Sequence, residues 1–199
     1  MGDAIHFWYE FASTYSYLSA MRIDNVAGAA GASVVWRPFL LGPIFGEQGW
    51  NDSPFNIYET KGAYMWRDLE RLCQDYDLPF KRPSVFPRNG LPAARIALVA
   101  SDGGWCPDFS RAVFTANFAE DRDIGQPGVL HEILTDLDQP ADAVLGASSA
   151  PEVKARLRSQ TEEAKSLGIF GAPSFTVANE LFWGNDRLGT AVAWSLGLR

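Results

Sequence analysis

The 199-residue sequence contains little cysteine or histidine. Cys73 and Cys106 are its two cysteines, His6 and His131 are its two histidines, and the four residues lie far apart along the chain. Metal sites built from these residues need ligands grouped at short spacings. The sequence therefore predicts no metal site. For each cysteine, a buried thiol is favoured over a metal ligand or a nucleophile.

Basic residues are also scarce. Lysine and arginine together number 17, against 24 aspartates and glutamates, which gives a formal net charge of −7. A protein that binds nucleic-acid phosphates needs a contiguous basic surface, and no run of Lys or Arg offers one. We therefore expect no nucleic-acid partner.

Long apolar runs are absent as well. No window approaches the roughly 20 apolar residues of a membrane-spanning helix. The first residues, MGDAIHFWYEF, lack the basic region and the cleavage site of a secretory signal. We expect a cytoplasmic protein without a membrane partner.

Aromatic side chains, by contrast, are plentiful. They make up 13% of the residues, with seven tryptophans, and hydrophobic residues make up 47%. A chain of this length buries a core without metals or disulfides. The rings indicate an aromatic-lined pocket, although core packing explains any single tryptophan equally well.

A change of hydrophobic period divides the first forty residues into a βαβ unit. Residues 4–11 mix aromatic and β-branched side chains without a polar face, which is typical of a strand buried on both sides. From Tyr15, apolar residues recur at helical spacing as far as Gly28 or Gly31. Residues 33–39 then predict a second strand. Such a unit favours parallel strands joined by a right-handed crossover.

The middle of the chain is predicted to be helical. Residues 40–58 are rich in glycine, proline and aromatics without any period, which indicates a functional loop or short turns of helix. Helical patterns follow at 61–76, 91–102, 107–119 and 126–137. A further helix starts at Pro151 and ends before Gly168.

The end of the chain returns to strands. Two short strands, SFTVAN (174–179) and LFWG (181–184), are predicted to form a hairpin, with Asn179 and Glu180 in its turn. A last helix begins near Asp186, with Asn185 as its cap. The whole order predicts an α/β fold, in which a four-stranded mixed sheet carries an inserted block of helices.

Two segments carry candidate chemistry. In EFASTYSYL, residues 10–18, Ser13 opens the first helix. In GIFGAPSFTV, residues 168–177, Pro173 comes immediately before a strand. A cis Ala172–Pro173 bond there exposes the N–H and C=O of Ala172 as an edge that can pair with an extended peptide. The predicted order of elements makes these two segments face each other.

These segments, with further motifs in the same order, resemble the 2-hydroxychromene-2-carboxylate isomerases. The further motifs are WRPFLLGPIF (36–45), GWNDSPFNIYETKGAYMWRDLERLC (49–73), FPRNGLPAARIAL (86–98) and FWGNDRL (182–188). The resemblance covers the whole chain and is weakest at 104–150. Glu10 and Thr14 depart from the aspartate and proline that are usual in this family.

The resemblance implies a thioredoxin-like fold of the type found in DsbA and in kappa-class glutathione transferases. Residues 1–40 and 165–199 then form the thioredoxin-like domain, and residues 41–164 form an inserted helical domain. For the helix at about 150–166, the alternative is packing with the thioredoxin-like half. The resemblance also implies a homodimer.

Glutathione is the cofactor that the resemblance implies. Ser13 and Ser16 stand where disulfide enzymes of the thioredoxin type have two cysteines, so dithiol chemistry is excluded at this site. Ser13, with the positive end of the first helix, is implied to hold the thiolate of glutathione. Helix capping alone is the alternative role for Ser13.

The implied glutathione pocket combines a backbone edge with a helix start. Its residues are Ser13, Lys61, Asp68, Ala172, Pro173, Trp183, Gly184, Asn185 and Asp186. Lys61 and Asp68 share one helical face, and in kappa-class relatives the aspartate reaches the pocket across a dimer. A solvated ion-pair face is the alternative for these two residues.

The implied second substrate is a small aromatic carboxylate. Its predicted contacts are Phe45, Asn51, Ser53, Pro54, Phe86, Pro87 and Asn89, with Trp50 and Arg88 nearby. The function expected from the family is glutathione-dependent conversion of a 2-hydroxychromene-2-carboxylate to the trans-o-hydroxybenzylidenepyruvate, in the degradation of aromatic compounds. The alternatives are a kappa-like transferase or peroxidase, and a non-catalytic glutathione-binding protein of thioredoxin fold.

Overall fold

The computed structural model describes residues 2–198 and contains one mixed sheet in the strand order β2-β1-β3-β4. Strand β1 (Ile5–Tyr9) pairs in parallel with β2 (Val34–Pro38). On its other side β1 pairs antiparallel with β3 (Ser174–Val177), which pairs antiparallel with β4 (Glu180–Trp183). The predicted fold is confirmed: this is the thioredoxin-like arrangement, with the apolar strand β1 inside the sheet.

The crossover between β1 and β2 contains two helices, so the prediction of one continuous helix is wrong. Helix α1 spans Thr14–Ala20 and helix α2 spans Ile23–Ala30. Arg22, between them, has φ −122° and ψ −25°, and its guanidinium lies over the ring of Tyr76, 3.6 Å from the centroid. This contact with another helix is tertiary, which is why the periodicity of the crossover did not reveal the break.

The inserted helices agree with the predicted patterns and add one helix. Two short helices lie in the aperiodic segment, α9 was not predicted, and every other helix matches its pattern to within about two residues. The helices are α3 (Leu41–Glu47), α4 (Pro54–Ile57), α5 (Glu59–Asp75), α6 (Leu91–Gly103), α7 (Cys106–Phe118), α8 (Pro127–Asp136), α9 (Ala141–Ser148) and α10 (Pro151–Ser166).

The hairpin turn lies one residue earlier than predicted. Ala178 and Asn179 form the turn, with Ala178 at φ 51°, and Glu180 is already the first residue of β4. After β4 the chain makes a 3₁₀ turn over Asn185–Arg187, and helix α11 follows at Leu188–Ser195.

A single aromatic core joins the sheet to the inserted helices. Tyr9 in β1 stacks edge-on against Phe11, and both rings contact Phe114 of α7. Phe114 in turn touches Tyr17 of α1. These side chains are fully buried and belong to one cluster that extends through both parts of the chain. The division into two domains therefore stays a prediction.

Arg88 fixes the segment that leads into α6. Its side chain is 4% exposed and contacts the carboxylate of Asp121. It also donates to the side chain of Asn117 at 3.1 Å and to the backbone carbonyl of Arg122 at 2.8 Å. This guanidinium is committed to the protein interior, so Arg88, which the sequence suggested near the substrate, is occupied within its own chain.

We expect Arg88→Met to lower the melting temperature by several degrees, because it leaves buried acceptors without a donor. Arg67→Met is the matched control, since Arg67 is 63% exposed and, within residues 2–198, forms an ion pair only with Glu70. Exposed ion pairs contribute little, so the control is expected to change the melting temperature by less than about 2 °C. Equal shifts in thermal melts of the two variants would contradict the structural role of Arg88.

The ion pair of Arg88 also predicts a pH dependence. Hydrogen bonds from Ser84 and Arg88 lower the pKa of Asp121 to about 2. The stabilisation is therefore fully present above the unfolded pKa, which is about 3.9, and is lost as the pH falls towards 2. The stability difference between wild type and Arg88→Met is expected to shrink between pH 5 and pH 2 in denaturant titrations. A stability difference between the two proteins that stays constant over this pH range would contradict the role of the Arg88–Asp121 ion pair.

Candidate active site

The hydroxyl group of Ser13 makes two hydrogen bonds at the start of α1. It is the N-cap of the helix, and its hydroxyl oxygen accepts from the backbone N–H of Ser16 at 3.2 Å. The same hydroxyl donates to the backbone carbonyl of Ala172 at 2.9 Å. Ser13 is therefore a cap, and it is also the residue that joins the first helix to the loop before β3.

The Ala172–Pro173 peptide bond is cis, as the sequence predicts. The carbonyl of Ala172 accepts from the Ser13 hydroxyl. Within residues 2–198, no acceptor pairs with the Ala172 N–H. The carbonyl of Pro173 accepts from the N–H of Gly184 at 2.9 Å. The loop before β3 thus connects Ser13 on one side to the turn after β4 on the other, and leaves one N–H available to a ligand.

The turn after β4 differs from the prediction at Asn185. Asn185 is 6% exposed, and its side-chain oxygen accepts from the Ser19 hydroxyl at 3.1 Å and from Arg22 at 3.3 Å. Its amide donates to the Tyr76 hydroxyl at 3.5 Å. The expectation that this side chain caps the last helix is wrong, because it is occupied in holding α1 and α2.

Gly184 and Asp186 complete this turn. Gly184 has φ 109°, and a Cβ atom on it would lie 2.6 Å from a carboxylate oxygen of Asp186. Only glycine fits that backbone conformation and that close approach. Asp186 is exposed at the start of the turn and pairs with Arg187 at 3.4 Å. Its carboxylate is therefore accessible to a ligand beside the Pro173 loop.

Trp183 covers the other side of the loop before β3. Its ring is 53% exposed and lies 4.8 Å, centroid to centroid, from the ring of Phe170. A Cβ atom on Gly171 would lie 2.4 Å from the indole nitrogen of Trp183, so the ring rests directly on the backbone of Gly171. Trp183 is thus an exposed aromatic surface adjacent to Ala172.

Asp68 reaches α1 within its own chain. Its carboxylate accepts from the Tyr15 hydroxyl at 3.0 Å and from Arg71 at 3.2 Å. Burial and the hydrogen bond to Asp68 raise the pKa of Tyr15, so this hydroxyl stays protonated. Lys61 is exposed, and its ammonium lies 5.5 Å from the centroid of the Tyr58 ring. Lys61 and Asp68, which share a helical face, therefore contact different side chains.

The segment between β2 and α5 arranges its predicted substrate residues in two groups. Phe45 and Trp50 pack edge to face with centroids 5.5 Å apart, and Asn51 is exposed. Ser53 caps α4 by accepting from the Phe55 N–H at 3.3 Å, and Pro54 is the first residue of that helix. Ser53 is thereby occupied with its own helix.

The second predicted substrate segment contains a cis bond that the sequence did not indicate. The Phe86–Pro87 peptide bond is cis, and the ring of Phe86 packs 4.9 Å from Trp66. The carbonyl of Phe86 accepts from the Asn56 amide at 3.0 Å, which joins this segment to α4. The side-chain oxygen of Asn89 accepts from the N–H of Leu91, the first residue of α6, at 3.1 Å.

Glu10 lies at this site, and we did not predict it as a site residue. Its carboxylate accepts from the N–H of Ala12 at 3.1 Å, and a Cβ atom on Gly90 would lie 2.7 Å from its other oxygen. Burial raises the pKa of Glu10 to about 8. The sequence signal was present, since Glu10 opens the EFASTYSYL segment, where the related family has an aspartate.

The site therefore brings together Ser13, the Ala172–Pro173 bond, Gly184 and Asp186. Tyr15 extends it towards α4, because its ring lies 6.3 Å from that of Phe55. Among residues 2–198, no three His, Cys, Asp or Glu residues form a group that could hold a metal ion. Within the same range no helix is long and apolar enough to span a membrane.

The buried hydroxyl of Thr14 provides a test of the helix start. Thr14 is the first residue of α1 and is 1% exposed, and its hydroxyl has no hydrogen-bond partner among residues 2–198. Proline is favoured at this position and restricts the unfolded chain. We expect Thr14→Pro to raise the free energy of unfolding by about 0.5–1 kcal/mol in denaturant titrations. Thr14→Val, which replaces only the hydroxyl with a methyl group, isolates the contribution of the backbone. A proline variant that is less stable than wild type would contradict this account.

Comparison with known proteins agrees with this geometry. The family model for the DsbA-like thioredoxin domain matches residues 4–193. A 2-hydroxychromene-2-carboxylate isomerase from Sphingobium xenophagum is 29% identical over 189 residues, covering 94% of this chain and 95% of that protein. Glutathione S-transferase kappa 2 from Caenorhabditis elegans is 27% identical over 198 residues, covering 92% and 88%. A solved 2-hydroxychromene-2-carboxylate isomerase structure superposes with a TM-score of 0.86 at 23% identity, covering 98% and 94%. This chain belongs to the family of DsbA-like thioredoxin domains.

Proposed function

We propose that this protein is a glutathione-dependent isomerase that converts a 2-hydroxychromene-2-carboxylate, or a closely related acid, to the trans-o-hydroxybenzylidenepyruvate. The observation that carries the proposal is the hydroxyl of Ser13 at a helix start, 2.9 Å from the carbonyl that precedes a cis proline. A hydroxyl in place of a thiol leaves room for the sulfur of a bound thiol. The relatives named isomerase and kappa-class transferase support this assignment.

The residues at the site fit glutathione, an extended tripeptide with two carboxylates and an ammonium. The unpaired N–H of Ala172 can pair with the cysteinyl backbone beside Pro173. Asp186 suits the ammonium of the γ-glutamyl group. Asn185 can contribute only its backbone N–H, because its side chain is occupied. We propose that Trp183 covers this end of the pocket and that Lys61 and Asp68 lie at its rim.

When bound, glutathione supplies a thiolate that adds reversibly to the conjugated double bond, allows rotation about it, and leaves unchanged. Ser13 stabilises the charged sulfur by turning its hydroxyl proton from the Ala172 carbonyl towards it. The free N–H groups at the start of α1 add a partial positive charge. Each unit by which these groups lower the thiol pKa is worth about 1.4 kcal/mol in favour of the thiolate.

The predicted contacts of the aromatic acid are divided between two connected segments. Phe45, Asn51 and Pro54 lie in the segment before α5, and Phe86, Pro87 and Asn89 lie in the segment before α6. Asn56 joins the two segments through the Phe86 carbonyl. We propose that the flat substrate lies between them, with Ser53 acting only through the helix that it caps.

Ser13→Ala is expected to raise the pKa of the bound thiol by about one to two units, which lowers kcat/KM at pH 7 roughly 10- to 100-fold. Because more thiol ionises at higher pH, the activity of the variant should recover between pH 7 and pH 9. Ser16→Ala is the matched control: the Ser16 hydroxyl is fully buried and has no partner in the described part of the chain, so we expect its loss to leave activity unchanged. Saturating glutathione is used throughout. Wild-type activity in Ser13→Ala would overturn the assignment.

A kappa-like transferase or peroxidase is the second candidate, favoured by the kappa-class relative. The two functions differ in the fate of the thiol. An isomerase returns glutathione, so free thiol titrated during turnover stays constant while the product absorbance grows. A transferase or peroxidase consumes thiol in proportion to product. Binding of glutathione without turnover of either kind would instead support a non-catalytic binding protein.

We further propose that the protein acts as a cytoplasmic homodimer in the degradation of aromatic compounds. In the described chain Asp68 is held by Tyr15 and Arg71, so any contact with glutathione in a partner subunit competes with these hydrogen bonds. Sedimentation of the purified protein with and without glutathione tests the dimer directly.

A further inference from the structure

Glu10 occupies a fixed position relative to Ser13. It follows β1 directly, and its backbone carbonyl accepts from the N–H of Ser13 at 3.0 Å. The register of β1 with β3 pairs Trp8 with Ser174. The pairing ends there, and Glu10 follows the end of β1 while Ala172 precedes the start of β3. Through its bond to Ser13, Glu10 therefore adjoins the proposed glutathione site.

The carboxyl group of Glu10 lies between the start of α1 and the segment that leads into α6. One oxygen accepts from the Ala12 N–H at 3.1 Å. The other approaches Gly90 so closely that a Cβ atom there would be 2.7 Å away. Gly90 follows Phe86, Pro87 and Asn89, the predicted contacts of the aromatic acid. Glu10 as a whole residue is half-buried.

No cation neutralises this carboxyl group. No Lys, Arg or His within residues 2–198 forms an ion pair with Glu10. Arg88, from the segment beside Gly90, is committed to Asp121, and Arg95 of α6 pairs with no acid in the described chain. Tyr9, the preceding residue, directs its hydroxyl to Ser110 of α7 at 2.7 Å. Because burial raises the pKa of Glu10 to about 8, the group is protonated at neutral pH.

We propose that Glu10 is a catalytic acid–base residue that opens the hemiketal ring of the substrate. The inference deepens the proposed isomerase function and rests on it. It assigns to Glu10 the step that precedes rotation about the double bond. That step needs proton transfer to and from oxygen but needs no sulfur.

The proton transfers in this step balance on a single carboxylic acid. One oxygen of Glu10 gives its proton to the ring oxygen as the bond between the ring oxygen and the hemiketal carbon breaks. The electron pair of that bond goes to the ring oxygen, which becomes the phenol. The hemiketal hydroxyl forms the ketone and gives its proton to the other oxygen of Glu10. The residue ends protonated, as it began, and no co-reactant is consumed.

The test uses Glu10→Gln, which keeps the shape of the side chain but cannot exchange a proton. Two substrates are compared: the cyclic chromene acid, and cis-benzylidenepyruvate without the phenolic hydroxyl, which cannot form a ring. General acid–base catalysis typically contributes 10²–10⁴-fold. We expect kcat/KM for the cyclic acid to fall at least about 100-fold in Glu10→Gln, while isomerisation of the open analogue stays within about threefold of wild type.

Two further variants separate catalysis from structure. Glu10→Asp retains an exchangeable proton and is expected to keep more activity on the cyclic acid than Glu10→Gln. Glu152→Gln changes an exposed acid on α10 and is expected to leave both substrates unaffected. The pH profile is a second measurement: the wild-type rate on the cyclic acid should decline above about pH 8, as Glu10 loses its proton, and this decline should disappear in Glu10→Gln.

The outcomes distinguish the two proposals. If wild-type protein isomerises neither substrate, the proposed function fails. If it isomerises both, and Glu10→Gln loses the two activities equally or keeps both, the role of Glu10 in ring opening is wrong. Loss of both activities together with a lower melting temperature identifies Glu10 as a structural residue, which also overturns the inference.

Discussion

The hydrogen bond from the Ser13 hydroxyl to the Ala172 carbonyl connects residues separated by 159 positions, and the candidate site depends on it. It holds the start of α1 against the cis proline loop, and that loop in turn receives the N–H of Gly184 from the turn after β4. A thiol at position 13 would donate only weakly to this carbonyl. A hydroxyl makes the contact in the absence of a ligand and can redirect its proton towards an anion that arrives.

Some polar groups around this contact stabilise the fold, and others remain available to a ligand. Asn185, Arg88 and Ser53 are of residue types that often bind ligands, yet each hydrogen-bonds within its own chain. The Ala172 N–H and the carboxylate of Asp186 are open to a ligand, and Glu10 lies close to the same site. Residue type alone therefore does not identify the binding groups here, because the same amides and charges also satisfy buried backbone and close loops.

The sequence was sufficient for the fold because β1, the inserted helices and the Gly-Ala-Pro segment each have strong local signals. It failed where tertiary contacts override local preference. The first helix breaks at Arg22, whose guanidinium stacks on Tyr76, and α9 has only a weak apolar stripe. At the site, Ser13 was predictable from its residue type at the helix start. The cis Pro173 bond was predictable from its position in the loop before β3. The second cis bond at Pro87, the occupied Asn185 side chain and the protonated Glu10 were not, because each depends on distant neighbours.

The continuous aromatic core has a consequence for how the protein responds to ligands. Phe114 of the inserted helices touches Tyr9 of the sheet and Tyr17 of α1, so the two parts share the larger of the two apolar clusters. We therefore expect the insertion and the sheet to unfold together. A ligand bound at the proposed site would then stabilise the whole chain, including strands that it never touches.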